Sequence, residues 1–304
     1  MTNAQSSGTV MNTDFNAFLQ QHRLPADYAE NLNRYFTPLA AALARRAGQQ
    51  STPLKVLING SQGSGKTTLG DALVMLLARQ HQLSAVAISI DDFYLTRHER
   101  ETLARDIHPL LLTRGVPGTH DLRLAEDTLR KLAEANTNVA IPRFDKAKDD
   151  RMTQAEWPVI DAPVDIIILE GWCVNAQAQA MQDLIEPINE LEAQEDSEGN
   201  WRHYVNTQLQ LDYRDLFQSF DCSIMLKAPS FDCVFRWRQE QEEKLKAKNH
   251  HQGSGLMSDA EIARFIQHYQ RITEHNLAIL PQQVDYLFSL DEEREIISTQ
   301  GLES

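Results

Sequence analysis

The chain of 304 residues carries a formal net charge of −14 and 42% hydrophobic residues, enough apolar material for one large α/β domain with additions. Its acidity argues against a general binder of nucleic acid or anionic membrane, because such partners reward a positive field. Three widely spaced cysteines, Cys173, Cys222 and Cys233, with no C-x-x-C pairing, point to neither a disulfide framework nor a zinc site and fit a reducing, cytoplasmic setting.

Residues 1–12 are polar and irregular and read as a disordered tail, without the basic segment and apolar core of a secretory leader. The stretch from Thr13 to Ala47 has apolar positions at helical spacing, interrupted by Pro25 and Pro38, so residues 1–50 are expected to form a tail and a helical extension. From Leu54 the pattern changes. The runs LKVLIN, AVAISI, NVAI, VDIIIL, CSIML and VDYLFSL are short, apolar and β-rich, and helical patterns separate them. That alternation predicts a mainly parallel sheet covered by helices on both faces. No run approaches the ~20 residues of a membrane span. Residues 177–221 read as a helical insertion with a polar turn, EDSEGN, and residues 229–257 as a charged, lid-like helix and loop. Ser258 and Glu261 form a capping box that starts a further helix. Trp172, Trp201 and Trp237 are assigned to packing. The adjacent His250 and His251 have no third ligand at a suitable spacing, so no metal site is read there.

The stretch Gly60-Ser61-Gln62-Gly63-Ser64-Gly65-Lys66-Thr67 satisfies G-x-x-x-x-G-K-[ST], between the apolar LKVLI and the helical TTLGDALVMLLARQ. The chemistry needs these residues at this spacing. Glycines let backbone N–H groups curl around phosphate oxygens, the helix N-terminus adds its positive dipole, Lys66 reaches the β- and γ-phosphates, and Thr67 offers a hydroxyl to Mg²⁺. The expected fold is therefore the α/β P-loop NTPase fold over residues 51–304, with ATP bound at Gly60–Thr68. Glu170 ends the run VDIIILE, where a strand would deliver a carboxylate beside the loop to hold Mg²⁺. Neither D-x-x-G after that strand nor N-K-x-D occurs, which sets GTPase logic aside and leaves a kinase or an ATPase. Asp91 and Asp92, at the end of the run AVAISI, favour a kinase, because an acceptor hydroxyl must be oriented and deprotonated at that sheet edge. An ATP-binding regulatory protein without transfer is the alternative of a different class.

The segment Ser89-Ile90-Asp91-Asp92-Phe93-Tyr94 resembles the S-x-D-x-F-Y motif of the uridine kinase, phosphoribulokinase and pantothenate kinase group. With RGVPGTHDL, IPRFDKAKDDR, ILEGW and FRWRQEQE, the chain resembles the D-glycerate 3-kinase family from about Val56 to Gln241. The resemblance implies Asp91 as catalytic base, Asp92 as a support for Mg²⁺ or for the turn, Tyr94 in the acceptor pocket, and D-glycerate as acceptor; a nucleoside or a pantothenate-like compound is the alternative acceptor.

Three further groups are candidates from their chemistry. Arg114, His120 and Asp121 lie in a glycine- and proline-containing loop suited to substrate hydroxyls and an anion, with Asp121 alternatively a helix N-cap. Arg143, Asp145, Lys146, Lys148 and Arg151 form the local basic cluster that an acidic protein needs for ATP and a carboxylate, with Asp145 placed to pair with Arg143 or Arg151. Arg236 and Arg238 start the charged helix as lid arginines, one of them alternatively paired with Glu240 or Glu242. The expected partner is a small, hydroxylated, anionic substrate, with neither nucleic acid nor membrane.

Overall fold

The computed structural model describes residues 14–134, 137–248 and 258–302; the tail read at 1–12 and His250 and His251, with the end of the lid-like region, lie outside them. Ten strands are present among the described residues: β1 (Leu54–Gly60), β2 (Ala85–Ser89), β3 (Asn138–Ala140), β4 (Phe144–Asp145), β5 (Asp150–Arg151), β6 (Val159–Asp161), β7 (Ile166–Gly171), β8 (Cys222–Lys227), β9 (Tyr286–Leu290) and β10 (Ile296–Gln300). The longer helices are α1 (14–22), α2 (Thr37–Ala47), α3 (Lys66–His81), α4 (Arg97–Asp106), α5 (Leu122–Glu134), α6 (Asn200–Gln208), α7 (Phe231–Lys248) and α8 (Asp259–Ile279).

Six strands make the main sheet in the order β10-β9-β8-β1-β7-β2. Its pairings are parallel except for β9 with the edge strand β10. Alternate residues of the central strands enter two separate cores. Leu54, Val56 and Ile58 of β1, with Ile166 and Ile168 of β7, join the core that also takes Phe15, Phe18, Leu32, Leu39 and Leu43 of the N-terminal segment and Leu69, Leu73 and Leu77 of α3. Leu57, Ile167 and Leu169 face the other core, with Leu129, Trp201, Val205, Tyr213, Tyr269 and Ile272. Burial of both faces is why these strands read as continuous apolar runs instead of alternating ones. Each such side chain contributes about 1.5–3 kcal/mol by leaving water.

The run NVAI departs from the expected place in the main sheet. Asn138–Ala140 pairs antiparallel with Val159–Asp161 in a separate two-stranded sheet. Pro142, which lacks an N–H, follows closely, and the three-residue strand has one buried side chain, Val139. Such a segment can neither extend a ladder nor cover both faces of a central strand.

Residues 177–221 wrap the second core. Buried ion pairs hold the segment together and to α8: Arg202 to Asp196 at 3.0 Å, and Arg271 to Glu192 at 2.5 Å. Trp172, Trp201 and Trp237 are buried, as are the three free cysteines. The Ser258–Glu261 capping box opens α8. Among the described residues no helix is long and apolar enough to cross a membrane.

Candidate active site

The turn from β1 into α3 places the glycine-rich stretch at the C-terminal edge of the central strand. Gly63 (φ 79°) and Gly65 (φ 93°) take left-handed backbone that side chains rarely adopt, and a Cβ on Gly60 would lie 2.5 Å from Ser64 Oγ. Lys66 folds back and donates from Nζ to the Ser61 carbonyl at 3.1 Å. Burial pulls its ammonium below the ordinary value, opposed by the charges of Glu170 and Asp91. The buried Ser61 Oγ, Gln62 Oε1 and Ser64 Oγ have no protein partner. Unsatisfied polar atoms gathered in one loop mark a cradle for a polar ligand.

Glu170, 5% exposed at the end of β7, accepts from Thr67 Oγ1 at 2.9 Å. Burial pushes its carboxyl up, and Lys66 acts against that. Thr67 and Glu170 thus set two hard oxygens side by side next to the loop, a donor pair suited to a hard divalent cation.

One strand further out, Asp91 sits in the tight turn Ile90–Phe93 that follows β2. Tyr94 donates to its Oδ1 at 2.8 Å, and Lys146 donates to its Oδ2 at 2.7 Å. Burial pushes the Asp91 carboxyl up, but the adjacent Lys146 ammonium and the Tyr94 hydroxyl outweigh burial and hold it at about 2. Asp92 points elsewhere: its oxygens accept from Arg143 at 2.9 Å and from the Phe144 N–H at 3.3 Å. It thereby ties the turn to the β4–β5 hairpin, the turn-supporting one of the two roles expected for Asp92. Burial leaves its carboxyl raised, with Arg143 opposing.

The hairpin is built around Asp149, whose left-handed backbone (φ 56°) makes the turn and whose carboxylate collects Arg97, Arg100 and Arg114. Arg114 is therefore a brace of the hairpin that carries Lys146. Asp145 caps its own turn, accepting from the Ala147 and Lys148 N–H groups and pairing with Lys148 at 3.5 Å. It does not pair with Arg143 or Arg151, because its turn holds its carboxylate. Arg151 reaches Asp121 at 3.2 Å and the Tyr94 carbonyl at 2.9 Å, while its Nε is buried without a partner. Asp121 caps α5 through the Leu124 N–H at 3.0 Å.

The loop Arg114–Asp121 is locked against the Asp91 turn. Tyr94 and His120 form an antiparallel bridge and stack at 4.6 Å. Gly115 (φ 134°) leaves room for Tyr269, whose hydroxyl would lie 2.3 Å from an added Cβ, and Gly118 (φ 96°) does so for Tyr204. His120 is buried, and desolvation lowers its imidazole to about 4.

Arg236 is solvent-exposed and pairs with Glu292 at 2.8 Å. Arg238 carries its guanidinium 5.9 Å from the Phe265 ring of α8, on the side of Tyr269. The arginine that touches the loop is Arg294, from the β9–β10 turn. It donates from Nε to the Gly63 carbonyl at 3.0 Å, pairs with Glu240 at 2.7 Å and covers Trp237. Arg294, Asp149 and Tyr213 carry no signal in the sequence, since each acts across more than thirty residues of chain and none belongs to a local pattern.

A parallel sheet that presents its glycine loop at the C-terminal edge of the middle strand, with carboxylates from two neighbouring strands around it, defines a P-loop kinase. No family model matches the chain. It is 33% identical over 263 residues to the uncharacterized kinase mug58 of Schizosaccharomyces pombe, covering 82% of this chain and 86% of that protein. It is 31% identical over 238 residues to the chloroplastic D-glycerate 3-kinase of Arabidopsis thaliana, covering 73% and 47%. The solved D-glycerate 3-kinase from Cryptococcus neoformans superposes with a TM-score of 0.72 at 27% identity, covering 91% and 99%. The chain belongs to this family of P-loop kinases related to D-glycerate 3-kinase, and it is a phosphotransferase with an alcohol group as acceptor.

Proposed function

We propose that the chain transfers the γ-phosphoryl group of ATP to the 3-hydroxyl of D-glycerate. The observation that carries the reading is Asp91: a half-buried carboxylate just after β2, within the electrostatic reach of Lys66 of the phosphate loop and directly paired with Lys146. The relatives named for D-glycerate support the choice of acceptor, and so does the basic hairpin in a chain of net charge −14.

In this reading the unpartnered Ser61 and Ser64 hydroxyls and the loop N–H groups hold phosphate oxygens, and Lys66 neutralises charge on the transferring group. Thr67 and Glu170 would hold Mg²⁺. Among the described residues no group of three or more His, Cys, Asp or Glu could hold a metal ion, which fits a cation that takes most of its ligands from phosphate and water. When bound, Mg²⁺ supplies charge neutralisation at the phosphates. Asp91 accepts the proton of the acceptor hydroxyl, the freed oxygen forms its bond to the γ-phosphorus, and the bond from that phosphorus to the bridging oxygen of ADP breaks. With Asp91 held at about 2, it is a weak base until the acceptor draws Lys146 away. An acceptor carboxylate is a partner suited to do that.

The test is Mg²⁺–ATP turnover against D-glycerate, L-glycerate, uridine, cytidine and pantothenate, with the product phosphate located by NMR. Selective 3-phosphorylation of D-glycerate is expected, and transfer confined to a nucleoside or to pantothenate would overturn the acceptor. Asp91→Asn is expected to keep ATP binding and to lose roughly 10²–10⁴-fold in turnover; near-normal turnover would remove Asp91 from the role of base.

A further inference from the structure

Tyr213 belongs to the 177–221 segment, far in sequence from every motif above, yet its hydroxyl meets the acceptor loop. It accepts from the Gly118 N–H at 2.9 Å and lies 2.6 Å from His120 Nδ1. His120 Nε2 is buried with no partner. We propose that Tyr213 fixes His120 as the tautomer with its hydrogen on Nε2, and that this Nε2–H is the donor that recognises an oxygen of the acceptor substrate. The proposal deepens the kinase reading above and rests on it for the identity of the ligand.

The Gly118 N–H can only donate, so the phenol oxygen accepts there. The phenol has one hydrogen of its own. If His120 Nδ1–H donated across the 2.6 Å contact, that phenolic hydrogen would need another acceptor at a fully buried side chain, and none is present among the described residues. A protonated Nδ1 would leave both the phenolic hydrogen and a bare Nε2 unpartnered, whereas donation from the Tyr213 hydroxyl to a bare Nδ1 leaves the Nε2–H alone, so the second arrangement is favoured. Burial keeps the ring neutral, so the single ring hydrogen resides on Nε2. Stacking on Tyr94 at 4.6 Å and an edge contact with Tyr213 at 5.8 Å fix the ring plane, while Tyr94 itself holds Asp91. The unpartnered donor is thus one ring away from the carboxylate that faces the acceptor.

A buried donor without a partner is unfavourable until an oxygen with a free lone pair meets it. Such a group selects for a hydroxyl or carboxylate at one position and disfavours an analogue that lacks it. The 177–221 segment then contributes to acceptor selection through a positioning residue, while Tyr213 itself never touches the substrate.

The test uses the full chain labelled with ¹⁵N-histidine. Long-range ¹⁵N–¹H correlation should give His120 the pattern of a protonated Nε2 and a bare Nδ1, with or without acceptor, so this readout holds whichever acceptor is correct. Tyr213→Phe keeps the ring and removes the hydroxyl. It should mix the tautomers and raise the acceptor KM roughly tenfold, leaving the ATP KM unchanged. His120→Gln returns a donor near the Nε2 position, and adding Tyr213→Phe to it should cause no further loss, since the tyrosine acts through the imidazole. Deoxy and amide analogues of the acceptor then tell whether a hydroxyl or the carboxylate is read. A protonated Nδ1 in the wild-type spectrum would overturn the proposal, as would an equal rise in both KM values or additive effects in the double variant. Failure of the D-glycerate assignment appears instead as turnover of a different acceptor with the histidine spectrum intact.

Discussion

Lys146→Met separates the charge on Asp91 from everything else in the site. The Nζ–Oδ2 distance of 2.7 Å corresponds to ~6 kcal/mol of attraction at an effective dielectric of about 20. Solvent reaches this pair, with the lysine side chain 61% exposed, and desolvation opposes it, which reduces the net effect to about 1–3 kcal/mol, or roughly 1–2 pH units of Asp91 ionisation. The sign follows from the partners. Asp91 lies below its ordinary value because of Lys146, against the upward push of burial. Removal of the ammonium leaves burial and the neighbouring Asp92 and Glu170 carboxylates, with Lys66, Tyr94 and His120 as the remaining groups that favour its charged form. Its titration should therefore rise from about 2 to roughly 3–4.

Because kcat/KM reports ionisations of the free enzyme, the assay is kcat/KM for the acceptor from about pH 3 to 8 at saturating Mg²⁺–ATP. Wild type should keep its plateau to about pH 3, while the variant should fall to about half between roughly pH 3 and 4. Any limb from ionisation of the acceptor itself is common to both proteins, and Lys146→Arg should restore the wild-type profile. Profiles of identical shape after scaling would refute the assignment of Lys146 as the group that controls Asp91. Linkage adds an independent reading: stability from the depressed Asp91 carboxyl is present above pH ~4 and is lost as the pH falls through about 2, so the variant should lose less stability over that interval than wild type does.

Other perturbations test separate parts of the site. Arg294→Ala removes the donor to the Gly63 carbonyl and should raise the ATP KM roughly three- to tenfold, with the acceptor KM unchanged; an unaltered ATP KM would mean that the loop holds its shape without this brace. Glu170→Gln keeps the shape beside Thr67 and removes the charge, so the Mg²⁺ concentration needed for half-maximal turnover should rise roughly 10–100-fold, and an unchanged requirement would place the cation elsewhere. Gly115→Ala combines a φ of 134° with a Cβ 2.3 Å from the Tyr269 hydroxyl. It should destabilise by about 2–4 kcal/mol and lower Tm by roughly 5–15 °C, measured by calorimetry; a change within about one degree would show that the loop can shift at little cost.

The sequence by itself determined the elements whose physics is local. Gly60–Thr67 needs only its own backbone freedom, one lysine and one hydroxyl to define a phosphate loop, and the apolar runs of β1, β7 and β8 announce burial on both faces because no polar alternation interrupts them. The Ser258–Glu261 cap was legible for the same reason. What only the tertiary structure decided is which charges meet. Asp91 and Lys146 are 55 residues apart, Arg114 and Asp149 are 35 apart, His120 and Tyr213 are 93 apart, and Arg294 and Gly63 are 231 apart. No spacing rule connects such pairs. Arg236 and Asp145 carried the right chemistry in the sequence, but Glu292 and a hairpin turn occupy them in the fold. A side chain's type states what it can do, whereas its partners in space set its charge, its tautomer and its freedom to act, and folding alone supplies those partners.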